Sequence, residues 1–290
     1  MHSDGARGAV VVTGSSTGIG RACALHLDRQ GFKVFAGVRK EADGERLRGE
    51  ASEHLEPLIL DVTDAEDISR VAEHVSEATE ARLAGLVNNA GIGVGGPLEL
   101  LSVSDFRHQI EVNLIGQVAV TQAFIPALRR ARGRLVFISS IGGLLATPYM
   151  APYHASKFGI EAVGDVLRQE LRQFGVQVSI VEPGSVATPI WDKGRTTAQA
   201  VRGNLSAEGQ ELYGESLARI EETLGQTAER GAPPEKVAKV VAHALTARRP
   251  RTRYLVGADA RAMATLKKLL PDRLRDRLVG RATGLTARAR

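Results

Sequence analysis

The chain alternates short apolar runs with longer segments of helical periodicity, and this alternation limits the fold more than any other feature. The apolar runs, which we expect to form buried strands, are residues 9–13, 33–38, 57–60, 86–88, 134–139, 176–181 and 253–257. The clearest helical patterns between them are residues 19–30, 65–81, 104–131 and 153–174. Alternation of this kind predicts an α/β fold, with a doubly wound parallel sheet of the Rossmann type and right-handed crossovers.

Length and composition favour a single domain that spans residues 1–290. With 43% hydrophobic and 24% charged residues, the chain is neither fibrous nor disordered. Between residues 189 and 232 the pattern becomes polar and loosely helical, and a new helix is expected to open at Pro233 and Pro234. Because this insert follows the sixth predicted strand, we expect it to cover the strand ends as a small helical substrate lid.

The net charge of +5 is concentrated at the C-terminus. Residues 248–290 carry 13 Lys and Arg against 3 Asp and Glu, so the basic segment 260–290 needs an interpretation. A solvated helix face with a frayed end is the simplest, and weak peripheral contact with an anionic membrane is the alternative. Nucleic-acid binding is disfavoured, since the basic character belongs to this segment alone.

The sequence predicts a cytoplasmic protein. Residues 1–14 lack the apolar stretch of a secretory signal, and the longest uncharged tract, residues 135–153, is interrupted by glycine and proline, so no transmembrane segment is expected. Cys23 is the single cysteine, which excludes an internal disulfide, and we expect it to be a small buried helix residue. No metal site is predicted.

A glycine-rich turn follows the first predicted strand and runs directly into a helix. Glycines let the backbone approach a pyrophosphate, and the helix N-terminus offers unpaired N–H groups with a partial positive charge. A dinucleotide site is therefore predicted, the alternative being a tight turn without a ligand. The expected cofactor contacts are Gly14, Ser15, Ser16, Thr17, Gly18, Ile19 and Gly20.

The end of the second strand indicates which dinucleotide is bound. An acidic residue there would bind a ribose 2′-hydroxyl, but the strand is followed by Arg39, which is able to pair with a 2′-phosphate. NADP(H) is predicted, with NAD(H) as second choice. The alternative is that Arg39 is a solvated surface residue.

Several motifs occur in an order that resembles the short-chain dehydrogenase/reductase family. The turn at residues 13–20 matches TGxxxGxG, and Tyr153 and Lys157 match YxxxK, with Ser140 at the family's interval of 13 residues before the tyrosine. The remaining matches are Asp61 and Val62, the NNAG segment Asn88, Asn89, Ala90 and Gly91, Asn113, and the PGxxxT segment with Pro183, Gly184, Val186 and Thr188.

The resemblance implies roles for these residues and a homodimer or homotetramer. Asn113, Ser140, Tyr153 and Lys157 would be catalytic, with Asn113 supporting a proton relay to Lys157. Tyr153 and Lys157 would also bind the cofactor. The other matched residues would contact it as well: Asp61, Val62, Asn89, Ala90, Gly91, Pro183, Gly184, Val186 and Thr188.

The catalytic pair also makes chemical sense from its spacing. Tyr153 and Lys157 stand four residues apart, on one face of a helix, so the ammonium can lie beside the phenol. An unperturbed phenol, with a pKa near 10, is a poor base at neutral pH. Positive charge from Lys157 and from oxidised nicotinamide is expected to lower the pKa of Tyr153 and make it the general acid/base, while Ser140 hydrogen-bonds the reacting oxygen.

Further likeness points to the retinol and 17β-hydroxysteroid dehydrogenase branch of that family. It lies in residues 140–144, 155–158, 250–254 and 257–260, and it implies a bulky apolar alcohol or ketone as the small-molecule substrate. Two alternatives remain, a β-ketoacyl-thioester reductase and an NADP-sensing binding protein without activity. Trp191 either lines the substrate pocket or packs the lid onto the body. Candidate pocket walls are Val94, Leu144, Leu145, Tyr149 and Met150.

Overall fold

A computed structural model describes residues 7–283 and residue 285. Its strands are β1 (Ala9–Val12), β2 (Lys33–Val38), β3 (Leu55–Ile59), β4 (Gly85–Asn88), β5 (Arg134–Ile138), β6 (Gln177–Pro183) and β7 (Arg253–Val256). They form one parallel sheet in the order β3-β2-β1-β4-β5-β6-β7, which confirms the predicted fold class. The strand order reverses its direction between β1 and β4, and the crevice at the carboxyl ends of these two strands is the usual ligand position in such sheets.

Helices cover both faces of the sheet. They are α1 (Gly18–Arg29), α2 (Glu41–Arg48), α3 (Ala65–Ala78), α4 (Val103–Ile110), α5 (Gly116–Ala131), α6 (Ala151–Glu170), α7 (Pro189–Gly203), α8 (Ala207–Arg230), α9 (Pro234–Thr246), α10 (Ala258–Leu269) and α11 (Asp272–Thr283). The sequence analysis missed α2, because its eight residues bury just Gly44 and Leu47 and so show no apolar stripe.

The core divides into two layers because side chains alternate along each strand. On β1, Val10 and Val12 face a cluster that includes α1 and α9, whereas Ala9 and Val11 face a cluster that includes α3, α5 and α6. Cys23 is fully buried in the first cluster, as expected. Both sheet faces are therefore covered, which leaves the carboxyl edge of the sheet as the expected ligand position.

Two long predicted helices are interrupted. The segment 104–131 is divided by a π-helical turn at Glu111–Ile115, between α4 and α5. Asn113 lies in this turn with its side chain bonded to the backbone of Ile92, and this tertiary contact favours the wider turn. The segment predicted at 153–174 begins earlier, at Ala151, and becomes a 3-10 helix at Leu171–Phe174.

The segments assigned to a lid and to a basic tail are both helical. The lid segment forms α7 and α8, which pack against each other. The basic segment lies in α10 and α11 as far as Thr283, which agrees with the expected helix face, while residues 284 and 286–290, the last of the chain, lie outside the described part. Within the described ranges, no helix is long and apolar enough to cross a membrane.

Candidate active site

A cleft of about 250 Å³ opens at the carboxyl ends of the strands, where β1 and β4 are neighbours. It brings together residues that lie far apart in the sequence, from the first turn to the segment after β6. The predicted site residues that line it are Gly14, Ser16, Thr17, Gly18, Ile19, Arg39, Asp61, Val62, Asn89, Ala90, Gly91, Asn113, Ser140, Tyr153, Lys157, Pro183, Gly184, Val186 and Thr188.

Two of the predicted contacts, Ser15 and Gly20, do not line the cleft. The Ser15 hydroxyl donates to the carbonyl of Val12 at 2.8 Å, and its backbone N–H donates to Gly37 at 2.8 Å, so this residue is buried behind the turn. A Cβ on Gly20 would overlap the carbonyl oxygen of Gly14. These residues shape the turn, and a direct contact of either one with a dinucleotide stays a prediction.

The turn after β1 fits a pyrophosphate. Gly14 has φ +66°, and a Cβ there would lie 2.7 Å from Cα of Ala90, so the backbone passes too close for a side chain. The helix α1 begins at Gly18 with Thr17 as N-cap, which makes no side-chain cap, and the first turn holds no acidic residue. The first N–H groups of a helix lack intrahelical partners, so they can bind an anion.

Other residues of the cleft were missed from the sequence: Gly37, Val38, Leu60, Thr63, Ile92, Gly93, His108, Val112, Ile138, Ser139, Pro189 and Ile190. The sequence carried a signal for two of them, because Val38 and Ile138 end β2 and β5 at the carboxyl edge of the sheet, where ligands usually bind. His108 and Ile190 had none, because tertiary packing of α4 and α7 brings them there.

Tyr153 lies near the start of α6 with 9% of its surface exposed. Burial raises the pKa of its phenol, and a hydrogen bond with Ser140 lowers it in part. Desolvation is the dominant influence of the protein's own groups on this pKa, and the lowering expected from Lys157 together with oxidised nicotinamide stays a prediction. The phenol is therefore protonated at neutral pH and can donate a proton.

Lys157 follows one turn later on α6 and is 5% exposed. Its Nζ donates to the carbonyl of Ile138 at 2.8 Å and lies 5.8 Å from the centroid of the Tyr153 ring. Burial lowers the pKa of its ammonium to about 8, and the carboxylate of Glu161 opposes this shift. A lysine in this range can exchange a proton near neutral pH.

Asn113 is fully buried beneath the cleft. Its Oδ1 accepts from the backbone N–H of Ile92 at 2.8 Å, and its Nδ2 donates to the carbonyl of Ile92 at 3.0 Å and to Ser156 Oγ at 3.3 Å. These bonds fix the segment after β4 against the π-helical turn. The relay from Asn113 to Lys157 stays a prediction.

A second cavity, of about 270 Å³, adjoins the cleft at Ser140 and Tyr153. Its walls come from the loop after β5, from α7 and α8 and from the C-terminal helices, and they include Ile141, Leu145, Met150, Ile220, Leu224 and Met263. Leu145 and Met150 were predicted as walls, and Tyr149 lines a smaller adjoining cavity with Met150. Val94 and Leu144 are not walls of the second cavity.

Trp191 lies where the two interpretations drawn from the sequence are compatible with each other. Its ring lines the cleft and the second cavity, and its Nε1 donates to the carbonyl of Val186 at 2.6 Å. The helix α7 is thereby tied to the segment that follows β6.

Comparisons with known proteins agree with this geometry. The short chain dehydrogenase family model matches residues 8–199. Retinol dehydrogenase 5 of Mus musculus is 40% identical over 277 residues, covering 92% of this chain and 86% of that protein. The 17-beta-hydroxysteroid dehydrogenase type 6 of Bos taurus is 38% identical over 286 residues, covering 97% and 90%. A solved short chain dehydrogenase/reductase from Burkholderia phymatum, in complex with NAD, is 26% identical with a TM-score of 0.76, covering 95% of each chain.

Proposed function

The chain belongs to the short-chain dehydrogenase family, an oxidoreductase family, and we propose that it transfers hydride between NADP(H) and the carbonyl or alcohol carbon of a bulky apolar substrate. One observation carries this proposal. Ser140 and Tyr153 line the cleft and also the second cavity, which we call the apolar cavity. A substrate oxygen within reach of both hydroxyls therefore lies where the cleft and the apolar cavity meet.

The chain's own groups supply the proton chemistry. When bound, the dinucleotide supplies or accepts the hydride. In reduction, Tyr153 gives its phenolic proton to the substrate oxygen, while Ser140 hydrogen-bonds that oxygen as charge builds on it. The phenolate then regains a proton from Lys157, whose pKa of about 8 suits this transfer, and the lysine takes a proton from solvent. One carbonyl, one hydride and one proton give one alcohol.

The apolar cavity supports a steroid- or retinoid-like substrate. Its wall residues include nine aliphatic or aromatic side chains, with Arg219 and Asp259 as the charged ones, and its volume is about 270 Å³. The two animal relatives carry the names of retinol and steroid dehydrogenases. A short, polar acyl thioester would leave this apolar surface in contact with water.

A panel of carbonyl substrates tests the assignment. We expect NADPH oxidation with steroid ketones and retinal, with kcat/KM roughly a hundredfold above that for acetoacetyl thioesters, because the cavity contacts favour bulky apolar groups by a few kcal/mol. The reverse order would make the protein a β-ketoacyl-thioester reductase. A protein that binds NADPH but turns over no carbonyl or alcohol would be a binding protein, and the proposed activity would be wrong.

Arg39 supports NADP(H) over NAD(H). It is exposed, directly follows β2 and lines the cleft, and no acidic residue occupies that strand end. Asp61, also in the cleft, uses its Oδ1 to accept from the backbone N–H of Thr63 at 2.9 Å and from its hydroxyl at 2.7 Å. The relative from Burkholderia phymatum holds NAD, so family membership alone does not decide the cofactor.

We also propose weak binding of α10 and α11 to anionic lipid. Leu266, Leu269, Leu274 and Leu278 are 44%, 74%, 41% and 43% exposed, and residues 258–283 carry 7 Lys and Arg against 3 Asp and Glu. A second copy of the chain would bring two such cationic surfaces together, so an anionic bilayer is the better complement. The same helices contribute Met263 and Thr283 to the apolar cavity. A membrane bound to these helices would therefore lie close to the cavity that takes an apolar substrate.

Vesicle sedimentation tests this contact. We expect salt-sensitive binding to phosphatidylserine-containing vesicles and little binding to pure phosphatidylcholine. Replacing Lys267→Glu and Lys268→Glu together should weaken binding roughly tenfold or more, since each cation contributes about 1 kcal/mol near such a surface. The control pair Arg129→Glu and Arg130→Glu, exposed on α5, should leave binding unchanged. Equal binding of the two double variants would contradict the assignment.

A further inference from the structure

His154 lies beside Tyr153 in the wall of the apolar cavity, and the proposed mechanism does not use it. It follows Tyr153 on α6, is 8% exposed and lines the apolar cavity. The two rings meet edge to face, with centroids 5.8 Å apart and an interplanar angle of 71°. A polar ring in an apolar wall needs partners for both nitrogens, and those partners reveal its role.

Both nitrogens bind the backbone of one loop, residues 141–148, which we call the substrate loop. Nδ1 lies 2.8 Å from the carbonyl oxygen of Gly142, and Nε2 lies 3.0 Å from the backbone nitrogen of Thr147. The Thr147 hydroxyl is 2.9 Å from Nε2. One imidazole therefore bridges the two ends of the substrate loop.

The partners determine the state of the ring. A carbonyl oxygen accepts but cannot donate, so Nδ1 carries the hydrogen, and a backbone N–H donates but cannot accept, so Nε2 presents its lone pair. His154 is thus a neutral imidazole in the Nδ1–H form. Burial lowers the pKa of His154, and the bond to Gly142 opposes this in part, which agrees with a neutral ring at pH 7.

The bridge reaches the reacting hydroxyls through Gly142. The N–H of Gly142 donates to Ser140 Oγ at 3.0 Å, and Ser140 is hydrogen-bonded to Tyr153. A Cβ on Gly142 would lie 2.9 Å from His154 Nδ1 and 3.1 Å from Cε1 of Tyr153, so loop and rings are in close contact. The substrate loop also supplies cavity walls at Ile141, Leu145 and Pro148.

We propose that His154 is a positioning residue for the carbonyl substrate, which clamps the substrate loop at Gly142 and Thr147 and so fixes both the apolar wall and the Ser140 hydroxyl. This role rests on the proposed function. Nothing in it involves the dinucleotide turn after β1, so it predicts an effect on the carbonyl substrate that leaves dinucleotide binding intact.

Variants that remove one or both arms of the clamp test this role. His154→Phe keeps a ring against Tyr153 but loses both bonds, His154→Asn places an amide donor near Gly142, and His154→Gln places an acceptor near Thr147. For a bulky ketone we expect kcat/KM to fall roughly 10- to 100-fold in His154→Phe, since small misplacements of reacting groups have effects of this size. His154→Asn and His154→Gln should have kcat/KM values between those of His154→Phe and the wild type. The NADPH dissociation constant should be unchanged in these variants.

His243 provides a matched control. It lies on α9, is not a lining residue of the cleft or the apolar cavity, and packs edge to face on Tyr254 at 5.7 Å and 74°, with its Nδ1 3.1 Å from the tyrosine hydroxyl. His243→Phe should leave kcat/KM for the ketone unchanged. If His154→Phe matched wild type, or lost dinucleotide affinity in parallel with kcat/KM, the positioning role would be wrong even though the wild-type enzyme is active.

The ring state can be measured without turnover. Nitrogen-15 NMR of the wild-type protein at pH 7 should show His154 neutral with the hydrogen on Nδ1. A charged ring or the Nε2–H form would overturn the clamp whatever the variants do. A wild-type protein that reduces no carbonyl would instead refute the proposed function, with the tautomer still deciding whether the clamp exists.

Discussion

Tyr153→Phe should lower kcat for the carbonyl substrate about 1,000-fold while the NADPH dissociation constant changes less than about threefold. The substitution removes one oxygen and leaves the ring in its place beside His154. Loss of a general acid at the reacting oxygen typically reduces the rate 10²- to 10⁴-fold. The dinucleotide turn lies between β1 and α1 and is not changed by this substitution. Stopped-flow turnover and fluorescence titration with NADPH measure the two quantities.

Tyr254→Phe is the control for the loss of a buried tyrosine hydroxyl. Tyr254 is 8% exposed on β7, and its hydroxyl accepts from the backbone N–H of Arg251 at 2.9 Å. This variant should lose some stability, about 1 kcal/mol for each of the hydrogen bonds that the hydroxyl makes with Arg251 and His243, and keep its kcat. Near-normal turnover in Tyr153→Phe would remove the phenol from the mechanism.

Arg39→Glu should lower the ratio of kcat/KM for NADPH to that for NADH about 100-fold or more. A charge-assisted bond between a guanidinium and a phosphate contributes about 1.5–3 kcal/mol, and a carboxylate in its place repels the 2′-phosphate while suiting a ribose hydroxyl. Initial rates with each cofactor at a fixed ketone concentration give the ratio.

Arg48→Glu makes the same charge change on the exposed end of α2, outside the cleft, and should leave the ratio unchanged. An equal ratio in wild type and Arg39→Glu would show that Arg39 is a surface residue. In that case NAD(H), the second choice from the sequence, would become the better assignment.

Local sequence was sufficient to predict the parts of the site that depend on short-range geometry. The turn from Gly14 to Gly18 needs glycine at fixed positions, and the pair Tyr153 and Lys157 needs one helical turn, so both leave a readable pattern. The alternation of apolar strands and helices similarly predicted the parallel sheet. These features depend on residues close in the chain, and the structure places them as expected.

The sequence could not reveal features that depend on burial and long-range contact. The expected fall in the pKa of Tyr153 rests on Lys157 and oxidised nicotinamide, yet the spacing of Tyr153 and Lys157 does not show that the ring is 9% exposed, and this burial raises the pKa. Ser15 matched the motif but is buried behind it, since its hydroxyl bonds Val12. The His154 clamp joins residues 142, 147 and 154 through backbone groups, which a sequence does not display.

A crystal structure of the protein with NADP⁺ and a bound apolar ketone tests the central claim most directly. We predict the Tyr153 hydroxyl at a hydrogen-bonding distance, roughly 2.6–3.2 Å, from the ketone oxygen, with Ser140 on the same oxygen and the ketone in the apolar cavity. A ketone bound elsewhere, or a Tyr153 hydroxyl turned away from its oxygen and from the nicotinamide, would contradict the proposed mechanism.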